Sequence, residues 1–329
     1  MESTKISFDI TENFNKLLTN LLEEDKLSAT DIKFIKYLKY IKDVSKNYPK
    51  PSPLRIITRS TASNLVMKIG EDEVLFTEID TLSKILYEDI RNNKGINKTF
   101  IGLQYKDIEY NYSKKKTKVK KKNQFYNCFS LKIQATPTST VNMKFFNNGS
   151  ITMTGCIEDD SAKNALKKII KYLKKNNDKF KFPEDIKNIN YANLRTTMIN
   201  YNFKLNFSIN RDKLYDILKN KHDLFVSYEP EKYQAVKISF MYNKTNIYND
   251  GKCYCTKKCK GKGWGDGEGD CKKVTIAIFQ SGNTGINGSR SLEQIRTAYN
   301  FINQIIKDYY EDIVRYSILN IDNYEIKNV

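Results

Sequence analysis

The chain has 329 residues, of which 40% are apolar, so it is long enough for two domains or one double-size unit with a substantial core. Its formal net charge is +18, but only eight of the 56 basic residues are arginine. We interpret this lysine bias as a sign of an AT-rich genome, so the charge favours a polyanionic partner less strongly than its size suggests. The single histidine nearly excludes catalytic triads and histidine metal sites, and no apolar run approaches the roughly 18–20 residues that span a membrane.

Residues 1–50 are predicted to form a separate helical extension that ends in a proline-rich linker. One helix is expected to begin near Thr11 and another after Ser28, because a capping hydroxyl precedes an apolar stripe in both cases. Pro49 and Pro51 cannot continue a helix. The extension is interpreted as a structural cap or a partner-docking arm. The N-terminus lacks the apolar region of a signal peptide, so we expect a soluble intracellular protein.

The first half of the remaining chain, residues 51–180, alternates between predicted strands and helices. The pattern predicts strands at 54–61, 65–69, 100–112 and 125–134 and a helix at 80–90. A lysine-rich insertion at 113–124 interrupts this half. Such a run is typical of a solvated loop, and contact with phosphates is the functional alternative.

The second half, residues 181–316, begins with a strand at 196–207 whose two faces differ in polarity. Apolar residues alternate there with the amides Asn200 and Asn202, which indicates one buried face and one solvated or ligand-facing face. His222 is interpreted as a solvated loop residue. The pattern then predicts a helix at 213–218, a turn at 227–231, a strand at 233–242, an irregular insertion at 243–272 and a tail at 317–329.

One strand–turn–strand–helix unit occurs in each half. Phe146, Gly149 and Gly155 of the first copy, 142–173, have counterparts 133 residues later in the second copy, 276–309. A duplicated unit predicts a pseudo-twofold protein, because each half has a sheet face that its own helix cannot cover alone. The alternative is two unrelated hairpins that share turn chemistry. The helices of the two copies are expected to begin at side-chain caps, near 158–161 and at Ser291 with Gln294.

Four of the six cysteines fall in the 243–272 insertion: Cys253, Cys255, Cys259 and Cys271. Four thiolates can close a tetrahedral structural zinc site, and five glycines would let the chain wrap around it. The spacing is not the usual pair of C-x2-C motifs, so free thiols and an oxidised loop stay open as alternatives. Trp264, the only tryptophan, is interpreted as a partner-contact tip or as packing against the metal. Cys128 and Cys156 are predicted to be small core residues.

Short motifs in both halves resemble the TATA-box-binding protein family. In the second half, Ser227-Tyr228-Glu229-Pro230-Glu231 matches the family's SYEPE turn, and Phe279-Gln280-Ser281-Gly282, followed by Gly288, is similar to its hairpin. In the first half, Glu109-Tyr110-Asn111 resembles the corresponding turn, and Phe146, Gly149 and Met153-Thr154-Gly155 keep the hairpin pattern. The motifs follow the family's order over residues 54–316.

The resemblance implies an α+β saddle, in which two pseudo-symmetric repeats form one curved antiparallel sheet with helices on its convex side. The concave side of such a saddle lies in a widened DNA minor groove. Aromatic side chains wedge between base steps, and small apolar and hydroxyl side chains pack on the groove floor. A few amides read the acceptor pattern that A·T pairs present in this groove.

Carried over position by position, the resemblance places DNA contacts on four aromatic residues and six polar ones. The aromatic wedges fall on Phe146 and Phe279, on Tyr233, and on Tyr126, for which Phe125 is the rival. Core packing is the alternative, and a shift of one residue would exchange Phe146 with Phe145. Polar DNA contacts are expected from Thr58, Thr152, Thr154, Asn200, Asn202 and Asn287.

Some positions depart from the family's pattern. The central asparagine of each repeat's first strand falls on Ile56 and Met198, and Lys144 stands where the family has an apolar groove residue. The bending scaffold is therefore better preserved than the residues that read the TATA sequence.

The implied function is that of a general transcription initiation factor, which is not an enzyme. It would bind and bend AT-rich double-stranded promoter DNA as a monomer. Glu229 and Glu231 match residues that engage a TFIIB-like factor, through which RNA polymerase is recruited, and the cysteine insertion is expected to modify that contact. Composition and divergence suggest a large DNA virus, and hence the nucleus, a viral factory or the virion. The alternatives are a saddle-shaped protein–protein module and, less well matched, a nucleic-acid enzyme such as a DNA glycosylase.

Overall fold

A computed structural model describes residues 47–92, 98–106, 108–111, 116–119, 127–158 and 160–316. The predicted helices of the N-terminal extension, Tyr126 with its rival Phe125, and the tail after residue 316 lie outside the described residues. None of the described helices is both long enough and apolar enough to span a bilayer.

The described strands form one antiparallel sheet of thirteen strands. They are β1 (Arg55–Ile69), β2 (Asp72–Leu75), β3 (Phe100–Tyr105), β4 (Ile108–Asn111), β5 (Lys116–Val119), β6 (Cys128–Gln134), β7 (Thr140–Phe146), β8 (Ser150–Thr154), β9 (Asn190–Lys204), β10 (Val226–Glu229), β11 (Tyr233–Tyr242), β12 (Lys272–Ile278) and β13 (Asn283–Ser289). Their order is β10-β11-β12-β13-β9-β1-β8-β7-β6-β3-β4-β5, and β2 pairs with β1 off this path. The predicted α+β fold, with one sheet shared by two similar halves, is confirmed.

Six α-helices accompany the sheet in the described ranges: α1 (Ile79–Arg91), α2 (Ser161–Lys175), α3 (Pro183–Lys187), α4 (Arg211–Asp216), α5 (Leu292–Asp308) and α6 (Tyr310–Ile313). The predicted cap of α5 is present, because the Ser291 hydroxyl accepts a hydrogen bond from the Gln294 N–H at 3.3 Å. The predicted side-chain cap of α2 is wrong. The Glu158 carboxylate accepts hydrogen bonds from Thr136 and Thr138 instead, so it holds the preceding loop and not the helix.

Residue pairs along the two central strands are arranged about a pseudo-twofold axis. Arg59 of β1 pairs with Ile199 of β9, and the axis passes through this pair. Each β1 residue on one side of the axis has an equivalent β9 residue on the other side, numbered 140 higher. The pair Thr58–Asn200 thus corresponds to the pair Met198–Ser60. Each strand also carries a bulge beside the axis, at positions 57 and 197.

This register corrects one equivalence from the sequence. The resemblance matches the family's central asparagine to Ile56 and Met198, which are 142 positions apart. In the sheet, Ile56 pairs with Tyr201, and the symmetric pair joins Thr196 to Thr61. The counterpart of Ile56 is therefore Thr196, and the equivalence is shifted by two residues.

Side chains on one face of the sheet pack under the helices in two hydrophobic cores. The first core includes Phe129 and Phe145, and the second includes Phe240 and Ile302. The two central strands cross between the cores. The chain at the start of β1 packs against the second core through Leu54 and Ile56, and the start of β9 packs against the first through Tyr191 and Leu194.

Several element boundaries differ from the predictions. The two short strands expected at 54–61 and 65–69 are one continuous strand, β1, because Thr61 and Ser63 continue its buried face. The turn predicted at 227–231 begins as β10 and turns only after Glu229. The connector after α2 contains a 3₁₀ turn at Asn177–Lys179 and then α3.

The interpretation of His222 as a solvated residue is wrong. The side chain is partly buried at the end of a π-helical turn, Ile217–Lys221, with its ring 5.5 Å from the Tyr309 ring in an edge contact. Burial lowers the pKa of His222, and the nearby Lys252 lowers it further. The histidine is thus a packing residue of the second half.

Candidate nucleic-acid interface and cysteine cluster

The sheet face opposite the helices is open in the described part of the chain, and strand register fixes which side chains it presents. We call this surface the open face. Two matching ladders of paired residues cross it, one in each half: Ser130–Lys144–Thr152–Ala62–Arg195 and Lys237–Ala277–Gly285–Asn202–Arg55. Small and polar side chains therefore line the middle of each half, with basic residues toward the ends of the ladders.

Two predicted aromatic residues lie side by side on the open face of the second half. The rings of Tyr233 and Phe279 are 5.7 Å apart at an interplanar angle of 59°, and Tyr233 remains 38% exposed. The Lys237 ammonium lies 3.8 Å from the Tyr233 ring centroid. The hairpin turn after Phe279 requires glycine at Gly282, where φ is +78° and an added Cβ would lie 2.4 Å from the Phe207 carbonyl oxygen.

Strand alternation decides between the two adjacent phenylalanines of the first half. Phe145 is buried and stacks on Phe129 with ring centroids 4.6 Å apart. Phe146 is only partly buried and follows Lys144 on the open face. The predicted wedge at Phe146 is therefore on the open side of the sheet, while its proposed partner Tyr126 lies outside the described residues.

One predicted DNA-contacting amide is occupied within the protein. The Asn200 Nδ2 donates to the Thr58 hydroxyl at 2.9 Å, and its Oδ1 accepts from the Gly288 N–H at 2.9 Å. Both ends of the amide thus tie β9 to β1 and to the end of β13. Asn200 organises the centre of the open face, and Thr58 keeps a hydroxyl hydrogen to donate.

The other predicted polar contacts are accessible to different degrees. Thr154 and Asn202 are exposed, whereas Thr152 and Asn287 are partly buried. Thr154 and Thr152 follow each other on the open face of β8, and Asn287 occupies the equivalent place on β13. The structure thus brings the predicted hydroxyls and amides onto one surface.

Two arginines that sequence reasoning missed are related by the pseudo-twofold axis. Arg55 pairs with Asn202, Arg195 pairs with Ala62, and both side chains are exposed. They lie four residues from the axis in opposite directions, or roughly 13 Å along each strand. Only the register reveals this relationship, because the pairing of β1 with β9 locates the axis.

The two predicted partner-binding glutamates lie in the hairpin between β10 and β11. Both are exposed, and the Glu229 carboxylate pairs with the Lys232 ammonium at 2.6 Å. The cysteine insertion leaves β11 at its other end, after Tyr242. Ten residues of extended chain, roughly 33 Å, separate the two. The insertion and the two glutamates therefore lie at opposite ends of β11.

The four cysteines of the insertion form one cluster. Their sulfur atoms all lie within 4.8 Å of one another, with Cys255 and Cys271 3.4 Å apart and Cys253 and Cys271 3.7 Å apart. Sulfurs around a tetrahedral zinc with bonds of about 2.3 Å would be about 3.8 Å apart. The Gly269 N–H also donates to the Cys255 sulfur at 3.1 Å. The arrangement could hold a metal ion.

Carboxylates inside the insertion bind its own backbone. Asp270 accepts hydrogen bonds from the N–H groups of Trp264 and Asp266, and Glu268 accepts from the Lys257 N–H and the Thr256 hydroxyl. These bonds hold the pKa of both carboxyl groups below the usual range. The irregular chain is thereby fixed without regular secondary structure.

Trp264 anchors the insertion to the second half. The Arg290 guanidinium lies 3.9 Å from its ring centroid, and the Trp264 carbonyl accepts a hydrogen bond from Gln294 at 2.7 Å. Arg290 also donates to the Gly263 carbonyl at 3.0 Å. The residue contacts the start of α5, and 46% of it remains exposed.

Comparisons with known proteins agree with the motifs. No family model matches the chain. A mimivirus protein named "TATA-box-binding protein-like" is 29% identical over 270 residues, which cover 77% of this chain and 61% of that protein. An uncharacterized protein, 335L of invertebrate iridescent virus 6, is 28% identical over 145 residues, covering 43% of this chain and 42% of that protein. The resemblance to the TATA-box-binding protein family is confirmed, and both relatives are viral.

The chain spans less than two thirds of the length of each of these relatives. Among solved structures, Methanococcus jannaschii TBP matches with a TM-score of 0.41 and 17% identity, covering 78% of this chain and 98% of that chain.

Proposed function

We propose that this chain, as a divergent relative of TATA-box-binding proteins, binds double-stranded DNA through its open face and bends it by opening the minor groove. The observation that carries the proposal is the paired placement of Tyr233 and Phe279 on an uncovered, repeated sheet face lined with small and polar side chains. A minor-groove binder needs aromatic side chains that insert between base steps, next to a surface of small side chains that fits along the groove. The protein acts by binding and not as an enzyme.

The first half supplies the second wedge pair in this proposal. In the first half, Cys128 of β6 pairs with Phe146. In the second half, Ala235 of β11 takes the equivalent position beside Phe279, because the neighbouring residues Val236 and Ile278 pair with each other. Counting back two residues from Cys128 and from Ala235 gives Tyr126 and Tyr233. The sequence counterpart of Tyr233 is therefore Tyr126, and we assign the wedge to it in preference to Phe125.

The floor of the groove contact is proposed to read A·T pairs only in part. Asn202, Asn287, Thr152 and Thr154 can bond the acceptors that A·T pairs expose in the minor groove. Lys144 pairs with Thr152 on the same ladder. Its ammonium group can donate to hydrogen-bond acceptors in DNA of any sequence. We therefore expect a preference for AT-rich duplexes that is weaker than a strict TATA readout.

The proposed role is transcription initiation, with the chain bound as a monomer to a promoter. Exposed Glu229 and Glu231 offer an acidic edge for a TFIIB-like factor, through which RNA polymerase would be recruited. We propose that it acts in the nucleus of an infected cell, in a viral factory or in the virion, and the viral origin of both relatives supports this.

A DNA-bending assay tests the proposal. End-labelled AT-rich and GC-rich duplexes are titrated with the protein, and energy transfer between the duplex ends reports the bend. We expect the AT-rich duplex to bind more tightly and to bend. The double variant Tyr233→Ala/Phe279→Ala should lose the bend, whereas Phe182→Ala, a control that removes an exposed aromatic on the helical side, should keep it. Absence of binding to any duplex would favour a protein–protein module, and a bend that survives the double change would contradict the wedge assignment.

We also propose that the cysteine cluster holds one structural zinc ion. Four sulfurs at the observed spacing suit a closed tetrahedral site, which takes no part in chemistry. Elemental analysis of protein purified without chelators should find about one zinc per chain. Cys253→Ser and Cys271→Ser should each lose it, whereas Cys128→Ser, outside the cluster, should retain it. Less than about half an equivalent in the parent protein, or a disulfide within the cluster, would contradict the assignment.

A further inference from the structure

A dense basic patch lies on the cysteine insertion. Four lysines occur within six residues, and all four are exposed: Lys257, Lys258, Lys260 and Lys262. Within the described part of the chain, the ion pairs of the insertion involve other lysines, Lys244 with Asp266 and Lys252 with Asp223. We call these four residues the knuckle lysines.

The acidic groups of the insertion are mostly bound elsewhere, although the Lys257 charge helps to lower the pKa of Glu268. Glu268 and Asp270 are directed at backbone N–H groups, and Asp266 pairs with Lys244. Their charge is used to fold the irregular chain. The ammonium groups of Lys258, Lys260 and Lys262 consequently remain available to a polyanion from outside, because a lysine side chain reaches beyond the backbone that carries it.

The backbone of the patch is joined to the rim of the open face. Lys262 forms a β-bridge with Lys272, and the Lys273 N–H donates to the Gly261 carbonyl at 2.8 Å. Gly261 also lies against Met241, whose strand partner is Lys273. Every second pair along β11 and β12 lies on the same face of the sheet. The pairs Met241–Lys273, Ser239–Thr275 and Lys237–Ala277 follow in this way, and Lys237–Ala277 belongs to the open face, so Met241 and Lys273 lie on the open face too. The knuckle lysines therefore extend the open face beyond the ends of β11 and β12.

We propose that the knuckle lysines bind the phosphate backbone of the same duplex that occupies the open face, at the edge away from Phe279. This inference rests on the proposed DNA binding. A duplex in the groove of the sheet presents its phosphates along both rims, and the patch supplies positive charge on one of them. The cysteine cluster and the internal hydrogen bonds hold the backbone of the patch in place, so less conformational entropy is lost on binding.

Salt dependence is the signature of this contact. Each phosphate neutralised by a lysine adds about 0.9 to the slope of log Kobs against log salt concentration for B-form DNA. Replacing all four knuckle lysines with glutamine should lower the slope by about 2 to 4 and weaken binding at low salt. The double variant Lys260→Gln/Lys262→Gln should give about half that loss. Bending should remain, because Tyr233 and Phe279 are unchanged.

The matched control carries the same charge change on the helical side. Lys167, Lys171, Lys174 and Lys175 are exposed on α2, and their replacement by glutamine should leave the slope near that of the parent. Zinc content shows that each variant has kept its insertion folded. An equal loss of slope in both quadruple variants would mean that the effect comes from the net charge of the protein and not from the position of the lysines, and it would overturn the proposal.

The result also separates this inference from the function on which it rests. If the parent protein binds and bends the duplex while the knuckle variant has an unchanged slope, the patch is not a DNA contact and the groove assignment stands. If the parent binds no duplex, both fall. A slope that changes only on single-stranded oligonucleotides would also overturn the proposal, because it places the patch away from the bound duplex.

Discussion

Arg59 and Ile199 pair with each other at the centre of the sheet, and the residue pairs on either side of them repeat in reverse order. A face with this symmetry matches duplex DNA, whose two antiparallel strands are themselves related by a twofold axis. In the proposed complex, residues that the axis relates contact the two DNA strands in equivalent ways. Arg55 and Arg195 are such a pair, displaced toward opposite rims of the open face.

The first prediction concerns these two arginines. Arg55→Ala and Arg195→Ala should each lower the salt slope of DNA binding by about 0.9, because each guanidinium would neutralise one phosphate. The double variant should lose about twice as much. Arg296→Ala serves as the control, since Arg296 is exposed on α5. Binding isotherms at several salt concentrations measure the slopes, and a loss confined to one of the two arginines would contradict the symmetric role.

The second prediction separates a structural amide from a reading amide. Asn200→Ala removes the partners of the Gly288 N–H and the Thr58 hydroxyl, so it should lower the free energy of unfolding by about 1–3 kcal/mol. Asn202→Ala on the exposed neighbouring position should change it by less than about 0.5 kcal/mol and weaken the preference for AT-rich DNA. Urea denaturation and competition binding measure the two effects. Equal stability of both variants would mean that the Asn200 hydrogen bonds contribute little.

The third prediction uses Trp264 as a reporter of the proposed zinc site. Removing zinc with a chelator should loosen the insertion, expose the indole to water and shift its fluorescence to longer wavelength. The thermal midpoint should fall with it, because the Trp264 contacts with Arg290 and Gln294 are lost. Since Trp264 is the only tryptophan, the signal is unambiguous. Cys128→Ser should respond like the parent, and Cys271→Ser should show the shifted spectrum before any chelator is added.

The fourth prediction follows from the lone histidine. Burial and Lys252 lower the pKa of His222 in the folded protein, so the unfolded chain takes up a proton near pH 6.5 while the folded chain does so only at lower pH. Stability is therefore fully present above about pH 6.5 and falls as the pH drops below it. His222→Gln should show a smaller decrease than the parent between about pH 7.5 and about pH 5.5 in urea titrations. Parallel curves for the two proteins would rule out this contribution.

Much of the fold could be predicted because apolar alternation and turn chemistry are local. The strand at 196–207 showed its two faces in the sequence, and the turn glycines marked both hairpins. The bulges at 57 and 197 could not be predicted, since an extra residue in one strand is defined only by its partner. The match of Ile56 to Thr196, and not to Met198, likewise required the pairing of β1 with β9.

The candidate site was predictable where it depends on strand parity and not where it depends on tertiary hydrogen bonds. Phe146, Tyr233 and Phe279 are on the open side, as alternation required. The internal use of Asn200 depends on Gly288, which is 88 residues away. The separation of Glu229 from the insertion was available in the chain order, because a complete strand lies between them.

The crossing of β1 and β9 between the two cores determines how this molecule can be divided. A fragment beginning at residue 181 would lack Leu54 and Ile56, and a fragment ending at residue 180 would lack Tyr191 and Leu194. Each piece would leave an apolar gap that its sister normally fills. The two halves are thus mutually dependent, because each completes the hydrophobic core of the other.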